Sequence, residues 1–175
     1  MATGVKKEDT TVRLGMIIIS DRAASGERPD ETIPLVTSRF KKTDLIPAFS
    51  IIVPDEDNAI RKAIEQALVT DGLDLIITSG GTGLSARDIT PEITGEFLEK
   101  TTPGIDEFLR AKGREQNLFS ILSRGISGIA RDRLVINMPG NPRAVVDNLA
   151  WLLPVIQHAI RVIRGPVTDR EHRSE

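Results

Sequence analysis

The sequence has no cysteine and only two histidines, His158 and His172, both near the C-terminus. Disulfides and thiolate metal sites are thereby excluded, and zinc has no adequate ligand set. A surplus of one charge is missing as well. With 23 basic and 25 acidic residues the formal net charge is −2, and no uninterrupted basic tract occurs, so nucleic acid is not an expected partner. No apolar run reaches the length of a membrane span, and the opening segment MATGVKKEDTTVR lacks the apolar core of a signal peptide. The chain is therefore expected in the cytoplasm, with no membrane partner.

What is present suffices for one core. At 175 residues and 39% hydrophobic content, a single domain buries roughly two-thirds of its unfolded surface. Residues 1–12 and 165–175 are polar and read as tails around a domain spanning 13–164. Within it, short apolar runs alternate with helical patterns. RLGMIIIS (Arg13 to Ser20), AFSIIV (Ala48 to Val53), LDLIITS (Leu73 to Ser79) and RLVINM (Arg133 to Met138) predict strands buried on both faces. Asp57 is expected to cap a helix whose Ile60, Ile64, Ala67 and Leu68 share one face. Asn141 and Pro142 predict the cap and first turn of a longer helix with the stripe Val145, Leu149, Leu152, Ile156, Ile160 and Ile163, kinked at Pro154. Thr90 with Pro91, and Thr102 with Pro103, repeat that opening for two shorter helices. Two apolar runs meeting around Ala130 to Arg133 are too close for a crossover and predict a hairpin with one antiparallel strand. The expected fold class is a three-layer α/β/α domain with a mostly parallel mixed sheet.

The unusual chemistry lies in the loops after these strands: SDRAASG, PDED, GGTGLSARD and PGNP. In a parallel sheet such loops share one edge, where open α/β sheets bind ligands. Ordinary turns use the same residue types, yet they do not require Gly80, Gly81, Thr82 and Gly83 in succession. Without Cβ atoms, this stretch can turn its N–H groups toward a phosphate, and Thr82 adds a hydroxyl. It is not a Walker loop, because Leu84 and Ser85 follow where Lys and Ser or Thr are needed. GTGLSA matches the dinucleotide pattern, but no strand ending in an acid follows at the required distance. Asp55 and Asp88 sit just beyond strand ends, with Asp21 on the neighbouring loop. Ionised near neutrality, they suit magnesium better than a proton relay. Arg22, Arg87, Arg124 and Arg143 fall near the same edge, where they could clamp phosphate oxygens. Glu56 is expected to face solvent, and His158 and His172 are assigned no chemistry. Without a central histidine, cysteine or lysine, the easiest reaction has a nucleophile that arrives already ionised, as a phosphate does.

In order and spacing, SDRAASG, PDE, TSGGTGLSARDITPE, LSRG and NMPGNP resemble the molybdopterin-binding proteins of molybdenum cofactor biosynthesis, in particular the bacterial molybdopterin adenylyltransferases. The resemblance runs from about Arg13 to Ile163. It implies a three-layer α/β fold, a homotrimer, and transfer of AMP from MgATP to the terminal phosphate of molybdopterin with release of pyrophosphate. A downstream molybdenum-insertion protein would be the partner that takes the product. A non-catalytic molybdopterin-binding protein of the same fold is the alternative. By motif, Asp55 and Asp88 match the two acids required for adenylyl transfer and for holding Mg2+. Gly80, Gly81, Thr82 and Gly83 match the phosphate loop. Ser20, Asp21, Ser123, Arg124, Pro139, Gly140, Asn141 and Pro142 match segments lining the pterin or nucleotide crevice.

Overall fold

The structure, a computed structural model, describes residues 10–165, so the tail assignments at 1–9 and 166–175 lie outside the described residues. Strands β1 (Val12–Ile19), β2 (Leu45–Val53), β3 (Leu75–Ser79), β4 (Lys100–Thr101), β5 (Ser127–Ala130) and β6 (Arg133–Met138) form one sheet in the order β2-β1-β3-β6-β5-β4. β2, β1, β3 and β6 run parallel to one another, while β5 is antiparallel to both β6 and β4. The β5–β6 turn falls at Arg131 and Asp132, whose φ values of 46 and 59 are the left-handed pair that a two-residue hairpin requires. The expected mixed sheet and its single antiparallel strand are both present.

Strand alternation divides the core between two helical layers. From β1, Leu14, Met16 and Ile18 pack toward α2 (Thr32–Phe40) and α6 (Pro142–Arg164), meeting Val36, Phe40, Leu149, Leu152 and Ile156. Ile17 and Ile19 point the other way, toward Ile60, Ile64 and Leu68 of α3 (Asp57–Val69) and Ile93 of α4 (Thr90–Phe97). α5 (Pro103–Gln116) lies on the α6 side through Ile105 and Leu109 and runs into a 3-10 turn at Leu118–Leu122. The apolar stripes read for α3 and α6 are therefore the faces that hold the layers to the sheet. Truncating one such side chain, Leu149 for example, would cost about 2–5 kcal/mol.

Four local readings differ from the structure. β2 begins at Leu45 and alternates between buried and open positions, because it is an edge strand and only one flank is covered. Asp57 lies in the first turn of α3, not at its cap. Its carboxylate pairs with Arg61 at 3.4 Å, and Glu56, exposed as expected, occupies the cap position without a side-chain bond. Thr90 likewise stands inside α4, following Ile89. Thr102 does stand at the N-cap of α5 with Pro103 in the first turn, and α5, at 14 residues, is shorter than the 23-residue α6; what differs is that its hydroxyl meets the Ser127 hydroxyl at 2.8 Å instead of bonding to the helix start. Only Asn141 caps as read, its Oδ1 accepting the N–H groups of Arg143 and Ala144 at 3.0 and 3.3 Å. α6 continues as one helix through Pro154. The short α1 (Asp21–Ala24), α2 and β4 have no counterpart in the sequence reading.

Candidate phosphate-binding site between two cavities

Parallel pairing places the C-terminal ends of β1, β2, β3 and β6 along one sheet edge, so the four polar loops do converge. Their closeness is enforced by glycine. Gly80 has φ 116, and a Cβ there would lie 2.2 Å from the carbonyl oxygen of Ile19, so the β3 loop presses directly on the end of β1. Gly81 has φ 63, and its Cβ would fall 2.2 Å from Thr90 Oγ1 and 3.4 Å from Asp55 Oδ1. Both positions are open only to glycine. Thr82 is buried, and its carbonyl accepts the Arg124 N–H at 2.9 Å.

The acids surround this loop. Asp21 Oδ1 accepts the main-chain N–H of Asp55 at 3.0 Å, and its Oδ2 pairs with Arg87 at 2.7 Å. Arg87 also donates to the Asp55 carbonyl at 3.3 Å. The Asp55 carboxyl is pushed above its ordinary value of 3.8, first by burial and then by the like charge of Asp21. Arg87 and the backbone hydrogen bond to Asp21 pull the other way, and Asp88 adds further repulsion. Asp88 Oδ2 accepts the Ser85 N–H at 2.8 Å and would lie 2.9 Å from a Cβ on Gly83. Asp55 and Asp88 thus flank the glycine loop from two strand ends. Among the described residues, no group of three acids or histidines forms a ready-made metal site. Two repelling carboxylates beside a phosphate loop nevertheless match the habit of magnesium, which takes one or two carboxylates and completes its shell with substrate phosphates and water.

Arg124 acts differently from a free phosphate clamp. Its Nε donates to the Gly83 carbonyl at 2.7 Å, while its terminal nitrogens engage the Asp88 carbonyl and the Glu92 carboxylate. The guanidinium therefore braces the glycine loop against α4. It also holds the Glu92 carboxyl below its ordinary range. Neither Glu92 nor this bracing was legible from sequence, although the short spacing between Asp88 and Glu92 was a signal. Asn137 was missed as well. Its amide donates to Thr78 and Thr94 at 2.9 and 2.8 Å and its oxygen accepts from Ile126, tying β3, α4 and the strand before the hairpin together. Polar residues inside two apolar strand runs were the available hint.

Two cavities open beside the loop. One of about 710 Å³ lies between α5, the 3-10 turn and α6, with Thr82, Gly83, Ser123, Pro139 and Asn141 in its wall. The other, of about 940 Å³, is lined by Ser20, Arg22, Ser79, Gly140, Asn141 and Pro142 near the starts of α1, α2 and α6. Asn141 and Arg143 border both. Of the crevice residues read from sequence, Ser123 and Pro139 line the first chamber, Ser20, Gly140 and Pro142 the second and Asn141 both, while Asp21 and Arg124 line neither. Asp55 and Asp88 line neither chamber and stand instead against the glycine loop.

A doubly wound sheet with a left-handed glycine loop, flanking carboxylates and paired cavities at its carboxyl edge defines an open α/β protein with its ligand crevice at that edge. The comparisons with known proteins narrow that class. The chain belongs to the molybdopterin-binding family: the pattern described as a probable molybdopterin binding domain matches residues 15–158. It is 34% identical over 158 residues to the molybdopterin adenylyltransferase of Helicobacter pylori, covering 89% of each chain. It is 32% identical over 162 residues to the Drosophila melanogaster molybdenum cofactor synthesis protein cinnamon, covering 90% of this chain but about a quarter (26%) of that longer protein. The solved molybdopterin biosynthesis enzyme MoaB of Thermus thermophilus superposes with a TM-score of 0.81 at 36% identity, covering 89% of this chain and 98% of that one. Among the described residues, no helix is long and apolar enough to cross a membrane.

Proposed function

We propose that this protein adenylylates molybdopterin, transferring AMP from ATP to the pterin's terminal phosphate. The observation that carries this reading is the placement of Asp55 and Asp88 against a loop that only glycine can form, with Ser79 before that loop lining one chamber and Thr82 and Gly83 lining the other. In the reaction, an oxygen of the pterin phosphate bonds to the α-phosphorus of ATP while the bond from that phosphorus to the bridging oxygen breaks. Pyrophosphate leaves with the bond electrons. The nucleophile is an anion already, so no general base is required, and positioning with charge neutralisation supplies most of the acceleration. The Gly80 N–H is taken up by the Met138 carbonyl at 3.1 Å, so the N–H groups that would meet the charge on the transferring group are those of Gly81 to Gly83, and Arg143, on the border of both chambers, can reach either polyanion.

Asp55 and Asp88 would hold Mg2+. Bound there, the ion would screen phosphate charge from the two carboxylates. A cation between them would offset the like charge of Asp88, which adds to the burial and the Asp21 charge that raise the Asp55 carboxyl. Homotrimer assembly, a cytoplasmic location and hand-over to a molybdenum-insertion protein belong to the same reading. The exposed apolar side chains of Leu118, Phe119 and Ile121 on the 3-10 turn support self-association. The deciding experiment incubates the full chain with molybdopterin and MgATP and follows pyrophosphate and AMP-pterin together. Both products are expected, and pterin binding without either would select the binding-only alternative.

A further inference from the structure

We infer that Thr90 is a positioning residue for Asp55: its hydroxyl donates to Asp55 Oδ1 and leaves the second carboxylate oxygen to the cation. The inference rests on the reading of Asp55 as a holder of Mg2+ and deepens it by naming what aims the carboxylate.

Thr90 stands in the first turn of α4 and is fully buried. Among the described residues its hydroxyl has no hydrogen-bond partner. It neither caps α4 nor bonds back to a carbonyl of the preceding turn, the two local uses open to a threonine there. A buried hydroxyl left unpaired is costly, and its persistence beside a reacting centre is explained by a contact made when the site is in use.

Asp55 has the complementary deficit. Its main-chain N–H is held by Asp21 at 3.0 Å and its carbonyl by Arg87 at 3.3 Å, so the backbone is fixed. Its carboxyl draws on the Asp21 backbone, and among the described residues no side-chain donor engages it. A carboxylate accepts about four hydrogen bonds, so room for a donor remains.

The two groups share one gap. A Cβ on Gly81 would lie 2.2 Å from Thr90 Oγ1 and 3.4 Å from Asp55 Oδ1, and these two side chains are its nearest neighbours. Glycine at 81 thus keeps open a hydroxyl-to-carboxylate contact that any side chain would block. The donor is also held in place. The Thr90 N–H donates to the Gly81 carbonyl at 3.2 Å, Thr94 Oγ1 accepts from the Asn137 amide at 2.8 Å, and Arg124 engages Glu92. With the hydroxyl on a braced helix, the Asp55 side chain is the part that turns. An outer hydrogen bond of this kind orients a metal-holding carboxylate.

The test takes the full chain as wild type, Thr90→Val and Thr90→Ser, titrates each calorimetrically with MgATP and with metal-free ATP, and melts each without ligand. Wild type is expected to prefer MgATP, and Thr90→Val to lose about tenfold or more of that preference. The melting temperature of Thr90→Val should not fall, because the hydroxyl it removes is unpaired in the free protein. Thr90→Ser keeps the donor and should keep most of the preference. Since Thr90 acts through Asp55, adding Thr90→Val to Asp55→Asn should cost nothing further. Wild-type metal preference in Thr90→Val would overturn the inference, as would a Thr90→Ser protein equally impaired, or full additivity with Asp55→Asn. A Thr90→Val protein that melts well below wild type would overturn it too, by showing that the hydroxyl holds the fold. No metal preference in wild type would remove the Mg2+ role of Asp55 and this inference with it. A Thr90-dependent preference in a wild type that forms no AMP-pterin would instead remove only the adenylylation reading.

Discussion

Asp21 Oδ1 accepts the main-chain N–H of Asp55 at 3.0 Å, across 34 residues of sequence and between the ends of two neighbouring strands. The bond fixes where the Asp55 backbone leaves β2. The other Asp21 oxygen, paired with Arg87, ties the same point to the far end of the glycine loop. Asp21→Ala is therefore expected to lower turnover by about tenfold to a hundredfold, with a small loss of stability because the ion pair is exposed. Steady-state AMP-pterin formation beside a melting curve checks both. A fall in stability without a fall in rate would show that Asp21 only closes the loop.

Asp55→Asn and Asp88→Asn should each cut turnover by roughly two to three orders of magnitude while pterin affinity survives. Single-turnover assays beside a pterin titration separate the two. Variants that formed product at the wild-type rate would remove the catalytic assignment.

The raised Asp55 carboxyl makes a second, independent claim about that residue. Its folded value lies above the ordinary 3.8, so the folded state holds the proton more tightly than the unfolded chain. Its favourable contribution is complete below the unfolded value and is lost as pH rises through the folded one. Near neutrality Asp55→Asn should therefore melt no lower than wild type, and higher if the effect dominates. Below about pH 4 the two should converge. Paired melting curves at about pH 3.5 and pH 7 decide the sign. Glu92 runs the opposite way: its lowered carboxyl lends stability above its ordinary 4.5, and this is lost as pH falls through the folded value.

Gly81→Ala forces a side chain into a left-handed backbone and onto the buried Thr90 hydroxyl, and should destabilise the fold by about 1–3 kcal/mol as well as weaken MgATP binding. Gly83→Ala is the sharper probe. Its backbone is not left-handed, and the added methyl would press on the Asp88 carboxylate. Turnover should drop severalfold or more with melting nearly unchanged. Unaltered kinetics in Gly83→Ala would show that the exact position of Asp88 is unimportant.

Arg124→Met removes charge-assisted hydrogen bonds to the Gly83 and Asp88 carbonyls while keeping the bulk of the stem. A loss of about 2 kcal/mol is expected, with reduced ATP affinity as the loop relaxes. Denaturant melts and MgATP titration measure the pair. A variant as stable as wild type would place the guanidinium in solution and not against the loop.

Phe119→Ser should weaken self-association if the exposed apolar turn is an assembly surface. Light scattering at micromolar protein compares the species present. Identical mass for variant and wild type would move the interface elsewhere, and a monomeric wild type would remove the trimer.

Some of this protein was determined by local sequence alone. β1, β3 and β6 are buried on both faces because unbroken apolar residues fill the middle of each run where the helices cover them, and the stripes of α3 and α6 follow from helical period. Asn141 before Pro142 named its own helix start. The consecutive glycines marked the ligand edge because nothing else tolerates φ 116 and 63 with a neighbouring chain 2.2 Å from a would-be Cβ. Tertiary structure decided the rest. β2 became an edge strand through its place in the strand order, which no local pattern encodes. Thr90 and Thr102 have the composition of caps, but packing at α4 and the hydroxyl of Ser127 determined their use. Arg124 reads as a free cation until the fold brings the Gly83 carbonyl and Glu92 within its reach. Asp106, one acid in an ordinary helix opening, is buried only because Ser127 and the walls of a cavity close around it, since desolvation depends on every surrounding atom and not on the residue alone.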